Sequence, residues 1–164
     1  MLKQSFGEYE LKIVKGNIAI VGEIGTGKNA TVKNYITQLV NEGQKVVVYD
    51  YEKEFDGLTK ALNGRVISLS EQISSGEYEQ LYCIQYLQND SLQVQHMERL
   101  INDSIVNCLV INDFQYVYDN HPYEIGVAIK NAAKNDIKIL AIIKKPSTAD
   151  FQNLISYFPT VISQ

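Results

Sequence analysis

The sequence predicts a doubly wound α/β fold with a mostly parallel β-sheet. Uninterrupted apolar stretches such as 18–21 and 108–111 are typical of strands that are buried on both faces. These stretches alternate with amphipathic helices, and strands separated by helices pair in parallel through right-handed crossovers. The length of 164 residues, 45% of them hydrophobic, suits one buried core. No linker or repeat interrupts the chain, so we predict a single domain over 1–164.

The strands are predicted, in chain order, from short stretches rich in apolar and β-branched residues. The first stretch alternates apolar and polar residues, whereas most later ones are uninterrupted. The predicted strands are 9–14, 18–21, 45–50, 65–69, 108–111, 137–143 and 159–163. The polar stretch 70–78 predicts a loop, and 78–87 fits neither a helix nor a strand clearly.

The helices are predicted from apolar side chains that recur every three or four residues. A helix of this kind follows Lys28 and ends at Gly43, since glycine is common just after a helix. Pro122 opens a later helix, because proline is tolerated in the first turn. The helix that Pro122 opens is predicted over 121–135, and the other predicted helices are 54–62, 92–106 and 146–157.

The strongest local signal is the glycine-rich stretch Gly22-Glu-Ile-Gly-Thr-Gly-Lys-Asn29, between a buried strand and a helix. Glycines allow consecutive backbone N–H groups to face one centre, and the helix N-terminus adds partial positive charge. Such a loop predicts binding of nucleotide phosphates, with ATP as the cofactor. The alternative is a glycine-rich turn with a surface lysine. The residues expected to contact phosphate are Gly22, Gly25, Thr26, Gly27, Lys28 and Asn29.

Departures at the two positions that usually bind the metal, one in the loop and one after a later strand, predict weak magnesium binding. The residue after the lysine is ordinarily a serine or threonine whose hydroxyl binds Mg²⁺, but here it is Asn29. An acidic residue ordinarily follows a later strand, but here that position is Asn112, with Asp113 next. Either the register slips so that Asp113 holds the metal and serves catalysis, or hydrolysis is weak or absent. Asn-Asp after a strand is also a common turn.

Two other charged groups are candidates. Asp50, Glu52 and Glu54 follow one strand and could form a metal or base cluster, although such a run is more often a solvated loop. Lys144 and Lys145 follow another strand and could contact an anion, although a solvent-facing pair is more common.

The remaining metal-type residues do not predict a metal site. Cys83 and Cys108 lack the spacing of zinc ligands, and His96 and His121 are expected at the surface or as helix caps. No signal peptide or stretch long enough to cross a bilayer is recognised, so we expect a cytoplasmic protein without membrane insertion.

The charge composition argues against two classes of function. The net charge is −4, and the only arginines are Arg65 and Arg99. The charge composition therefore does not support DNA as a partner, because neutralising the DNA phosphates needs clustered cations. A small nucleotide kinase is disfavoured as well, since such enzymes need several arginines around the transferred phosphoryl group.

The chain resembles the HerA/FtsK superfamily of P-loop motors, closest to the conjugation and type IV secretion ATPases. The resemblance lies in Gly22 to Asn29, in Val46 to Phe55, in Gly64 to Leu69 and in the later strands. It implies a RecA-like P-loop NTPase core, usually a homo-hexamer, that pumps DNA or protein. The motifs are degenerate, as in the terminal domains of type VII secretion ATPases.

The resemblance also implies roles for individual residues. Glu52 and Glu54 would lie near the nucleotide, with Glu52 as a catalytic candidate, and Asp113 would be the best remaining catalytic and metal-binding acid. Lys144 and Lys145 stand where the family usually places a glutamine that senses the nucleotide.

Together these observations predict an ATP-binding motor-type domain of a DNA conjugation or protein secretion system, with weak or absent hydrolysis. Its partners would be subunits of that machinery, and it would lie in the cytoplasm, peripheral to a membrane secretion complex. The alternative is a pseudo-ATPase that acts as a docking or regulatory module of a secretion assembly. A small nucleotide kinase is the least favoured interpretation.

Overall fold

A seven-stranded sheet, parallel at every pairing, forms the centre of the protein. The structure is a computed structural model that describes residues 16–23, 25–74, 76, 79–85, 90–144 and 151–164. The strands are β1 (Ile18–Val21), β2 (Val46–Tyr49), β3 (Arg65–Ile67), β4 (Leu81–Ile84), β5 (Cys108–Ile111), β6 (Lys138–Ile143) and β7 (Thr160–Ser163). Their spatial order is β3-β4-β2-β5-β6-β1-β7.

Helices cover both faces of this sheet. They are α1 (Lys28–Asn41), α2 (Asp56–Ala61), α3 (Asp90–Asn102), α4 (Phe114–Asn120), α5 (Pro122–Lys134) and α6 (Phe151–Ile155). Alternate strand residues point to opposite faces, so Val46 and Val48 of β2 join the core that contains the apolar residues of α1. Val47 and Tyr49 join the core formed with α3, α4, α5 and α6. The predicted doubly wound fold is therefore confirmed.

Two details differ from the sequence predictions. Helix α4 was not predicted, because its seven residues carry only one short apolar set, Phe114, Val117 and Tyr118. The ambiguous stretch 78–87 contains β4, a four-residue strand that is buried between β2 and β3. The predictions for 9–14 and for 146–150 lie outside the described residues.

The expectation that His96 lies at the surface is wrong. His96 is 7% exposed, and its Nδ1 lies 2.8 Å from the hydroxyl oxygen of Tyr49 on β2. The helix face that carries Val94 and Met97 packs on the sheet, and His96 lies at the edge of that face. The buried imidazole is tolerated because Tyr49 provides a hydrogen-bond partner.

The strand register brings the start of the glycine-rich loop next to the end of β6. Val21 of β1 pairs with Ile143 of β6, and the backbone N–H of Gly22 donates to the carbonyl of Ile143 at 3.1 Å. The residue after Ile143 is Lys144, so this lysine emerges beside the loop. In parallel α/β sheets, ligands bind outside the carboxyl ends of the strands, which is where these residues lie.

Candidate functional site

The glycines of the loop between β1 and α1 are required for two different reasons. Gly25 and Gly27 have φ angles of +84° and +86°, in the left-handed region that favours glycine, and Gly27 is the N-cap of α1. Gly22 has no positive φ, but a Cβ there would lie 2.4 Å from the backbone oxygen of Gln164, which follows β7. The loop therefore turns sharply into the N-terminus of α1 and lies close against the end of β7.

Lys28, the first residue of α1, is a buried cation held against its own loop. It is 6% exposed, and its Nζ donates to the carbonyl of Glu23 at 2.5 Å and lies 3.5 Å from the hydroxyl oxygen of Thr26. Burial lowers the pKa of Lys28, and the nearby ammonium of Lys144 lowers it further, whereas Glu54 and Glu23 oppose this change. An anion in front of the loop would compensate the charge that burial disfavours.

A cleft of about 500 Å³ opens in front of this loop, within the size range of small-molecule sites. It contains two ammonium groups and two carboxylates. Lys144 forms an ion pair with Glu52, and the side chains of the two residues are 30% and 28% exposed. The residues that line the cleft are Gly25, Gly27, Lys28, Asn29, Ala30, Glu52, Glu54 and Lys144.

The structure brings most of the predicted phosphate-contacting residues together. Gly25, Gly27, Lys28 and Asn29 line the cleft, while Thr26 donates its hydroxyl to the Glu23 carbonyl at 2.8 Å within the loop. Glu52 and Glu54, predicted from resemblance, line the same cleft. Lys145 lies outside the described residues.

The acidic residues of the sequence do not form a single cluster. The buried carboxylate of Asp50 accepts the backbone N–H groups of Glu54 at 3.0 Å and Phe55 at 2.9 Å, so it shapes the loop before α2. Asp113 is the N-cap of α4 with φ +55°, and burial raises its pKa. Neither residue is among those that line the cleft.

The residues present do not fit the magnesium ion that usually accompanies nucleotides in such loops. Asn29 Oδ1 is buried without a hydrogen-bond partner, and so are both polar side-chain atoms of Asn112, which is 3% exposed. Asn112 is neutral where a carboxylate is expected, and the amide oxygen of Asn29 lies one bond further from the backbone than the expected hydroxyl. Lys144 adds an ammonium to the cleft. Among the described residues, no three His, Cys, Asp or Glu side chains form a group suited to a metal ion.

The ion pair across the cleft is the feature that sequence reasoning missed. Glu52 and Lys144 are far apart in the chain, and nothing in either local pattern indicates that they meet. The contact follows from the sheet order, since Glu52 lies on the loop after β2 and Lys144 at the end of β6. Knowledge of which strand ends lie together would have predicted the pairing.

The two arginines lie away from the cleft. Arg65 forms an ion pair with Glu71 at 3.2 Å, and Arg99 donates to the backbone carbonyl of Ile73 at 3.1 Å. Neither arginine lines the cleft.

A separate finding concerns the helices. Within the described part of the chain, no helix has the length and apolar character needed to span a membrane.

Comparisons with known proteins concern the family and the fold of the chain. A family model described as an AAA domain matches residues 13–154. No curated protein matches the sequence. Among solved structures, the chain is similar to the genome packaging NTPase B204 from Sulfolobus turreted icosahedral virus 2 in complex with AMP, with a TM-score of 0.58 and 16% identity. The match covers 79% of this chain and 65% of that chain, and at this identity it shows the fold alone.

Proposed function

The chain belongs to the AAA domain family, and on that premise we propose that it binds ATP in the cleft in front of the loop 22–29. One observation carries the proposal. Two left-handed glycines turn the loop into the N-terminus of a 14-residue helix whose first residue is the buried Lys28, which faces the cleft. Backbone N–H groups, the helix N-terminus and an ammonium together suit a polyphosphate.

We further propose that hydrolysis is weak or absent. Rapid phosphoryl transfer needs a metal ion at the phosphates and a base or water-orienting group. Asn112 supplies no carboxylate for a metal, Asn29 replaces the usual hydroxyl with an amide, and Asp113 does not line the cleft. Glu52 remains the candidate base, but in this structure its carboxylate is engaged by Lys144.

As for the biological role, we propose a motor-type domain of a DNA conjugation or protein secretion system. The support is the resemblance of the loop and strands to the HerA/FtsK motors, together with a fold shared with a viral genome packaging NTPase. Assembly as a homo-hexamer, peripheral to a secretion complex, belongs to this proposal.

The second candidate role is that of a pseudo-ATPase that docks on a secretion assembly. The neutral residues Asn29 and Asn112 at the metal positions favour it. A nucleotide kinase is disfavoured, because Arg65 and Arg99 both lie away from the cleft. The ATP-binding proposal is common to the motor and pseudo-ATPase roles, and turnover separates them.

The ATP-binding proposal is tested by calorimetry on the full chain and on Lys28→Ala. We expect the wild type to bind ATP and the variant to lose at least about tenfold in affinity, because the cation nearest the phosphates is gone. Lys134→Ala, at the exposed end of α5, is the matched control and should bind like the wild type.

Two outcomes would count against these proposals. Equal ATP affinity in the wild type and in a folded Lys28→Ala variant would exclude the loop as the binding site. Phosphate release at several turnovers per second, abolished by Lys28→Ala, would refute weak hydrolysis, because that rate lies in the range of competent enzymes.

A further inference from the structure

Lys144 occupies a defined place beside the phosphate loop. The hydrogen bond from Gly22 N to the Ile143 carbonyl, at 3.1 Å, joins the end of β6 to the start of the loop. Lys144 is the next residue and lines the same cleft as Lys28. The ammonium of Lys144 is close enough to lower the pKa of Lys28, so the two cations face one volume.

The cleft is lined by as many carboxylates as ammonium groups, two of each. Lys144 forms an ion pair with Glu52, and Glu54 opposes the lowering of the Lys28 pKa, so each lysine has a carboxylate nearby. Glu54 also has a buried oxygen, Oε2, without a hydrogen-bond partner. A phosphate group that enters this cleft therefore competes with a carboxylate for the ammonium of Lys144.

Magnesium does not fit the same arrangement. The side chains at the two expected metal positions are the carboxamides of Asn29 and Asn112. Asn112 brings no carboxylate charge and is not among the residues that line the cleft. Glu52, a cleft carboxylate that could attract a divalent cation, is already paired with the ammonium of Lys144. Lysine carries its positive charge as a compact group with three donors, which suits phosphate oxygens.

We propose that Lys144 takes the place of magnesium as the second positive charge on the bound phosphates, and that Glu52 holds Lys144 until nucleotide displaces it. This inference rests on the proposed ATP binding. It implies that the protein binds free ATP, without metal, and that the Lys144–Glu52 ion pair exchanges for a Lys144–phosphate contact. No covalent step is involved.

The test measures ATP affinity by calorimetry on the full chain, once in excess EDTA and once in excess Mg²⁺. We expect the wild-type affinity in EDTA to equal or exceed that in Mg²⁺. Lys144→Gln should lose about tenfold in EDTA, because a neutral amide replaces the charge. Lys144→Arg should retain most of the affinity. Glu52→Gln should bind several-fold more tightly, because its side chain no longer competes for the ammonium.

Lys134→Gln changes an exposed lysine of α5 and should leave the affinity unaltered, and circular dichroism verifies that each variant is folded. Binding by the wild type in Mg²⁺ but not in EDTA would overturn the inference and leave the proposed ATP binding intact. Unaltered affinity in both Lys144→Gln and Glu52→Gln would overturn it too. Absence of wild-type binding in both buffers would overturn the proposed function itself.

Discussion

Replacement of Gly22 by alanine tests how closely the phosphate loop is packed against β7. Gly22 does not have a positive φ, so only lack of space forbids a side chain. The added Cβ would lie 2.4 Å from the backbone oxygen of Gln164 and 2.8 Å from the hydroxyl oxygen of Thr26. The threonine side chain can rotate away, whereas the Gln164 oxygen is a backbone atom of a residue that hydrogen bonds hold to Val21 and Thr31.

The loss in the free energy of unfolding of Gly22→Ala depends on which groups must move. Ordinary contact begins near 3.4 Å, so the loop and the end of β7 must separate by about 1 Å. Gln164 is held there by its backbone N–H, which donates to Val21 at 2.9 Å, and by its side-chain amide, which donates to Thr31 at 2.9 Å. Overpacking costs about 1–3 kcal/mol, and a lost backbone hydrogen bond costs about 1 kcal/mol more. We expect Gly22→Ala to lower the free energy of unfolding by about 2–4 kcal/mol.

Urea unfolding of four alanine variants provides the comparison. Gly25→Ala meets no atom within 4 Å, so it should cost only the left-handed backbone strain of about 1–2 kcal/mol. Gly57→Ala, in α2 with open space and no positive φ, should be neutral or stabilising by up to about 1 kcal/mol. In Gly64→Ala, the added Cβ would lie 2.6 Å from the backbone oxygen of Leu81. Both residues are far from the loop in the chain.

Gly64→Ala is therefore the control for a steric clash outside the site. We expect it to be destabilising like Gly22→Ala but to retain the ATP affinity of the wild type, whereas Gly22→Ala should lose affinity because the loop is displaced. A loss of less than about 1 kcal/mol in Gly22→Ala would refute the close packing against β7. Equal loss of ATP affinity in both variants would contradict the reasoning, because it would show that the lower stability, and not the displacement of the loop, lowers the affinity.

Two further predictions concern the expected metal positions and the buried thiols. Asn29→Ser combined with Asn112→Asp should raise ATP affinity in Mg²⁺ buffer and not in EDTA, because a hydroxyl and a carboxylate restore metal ligands. Calorimetry in both buffers measures the affinity, and no gain in Mg²⁺ would contradict the prediction. Cys83 and Cys108 are both buried, and burial raises the pKa of each thiol to about 12, so neither should react with a thiol-specific chromogenic reagent at pH 8 until urea unfolds the chain. Rapid labelling of a native thiol would contradict the burial.

Much of the geometry of the glycine-rich loop 22–29 was predictable because it depends on local sequence. The glycines, Lys28 and the helix that follows are consecutive in the chain, so their spacing alone predicts how they meet. The roles of Asp50 and Glu52 were not predictable in the same way. Their neighbouring positions suggested one acidic cluster, but Asp50 is buried under the backbone of Glu54 and Phe55, whereas Glu52 reaches the cleft.

The sequence by itself determined the α/β class, most of the strands and helices, and the glycine-rich loop 22–29 before α1, since each depends on residues within a few positions of one another. Only the tertiary structure decided which strand ends lie together. The order β2-β5-β6-β1 places Glu52 and Lys144 within reach across the cleft, and the pairing of β7 with β1 places Gln164 over Gly22. These contacts depend on sheet order and register, which hydrophobic periodicity along the chain does not encode.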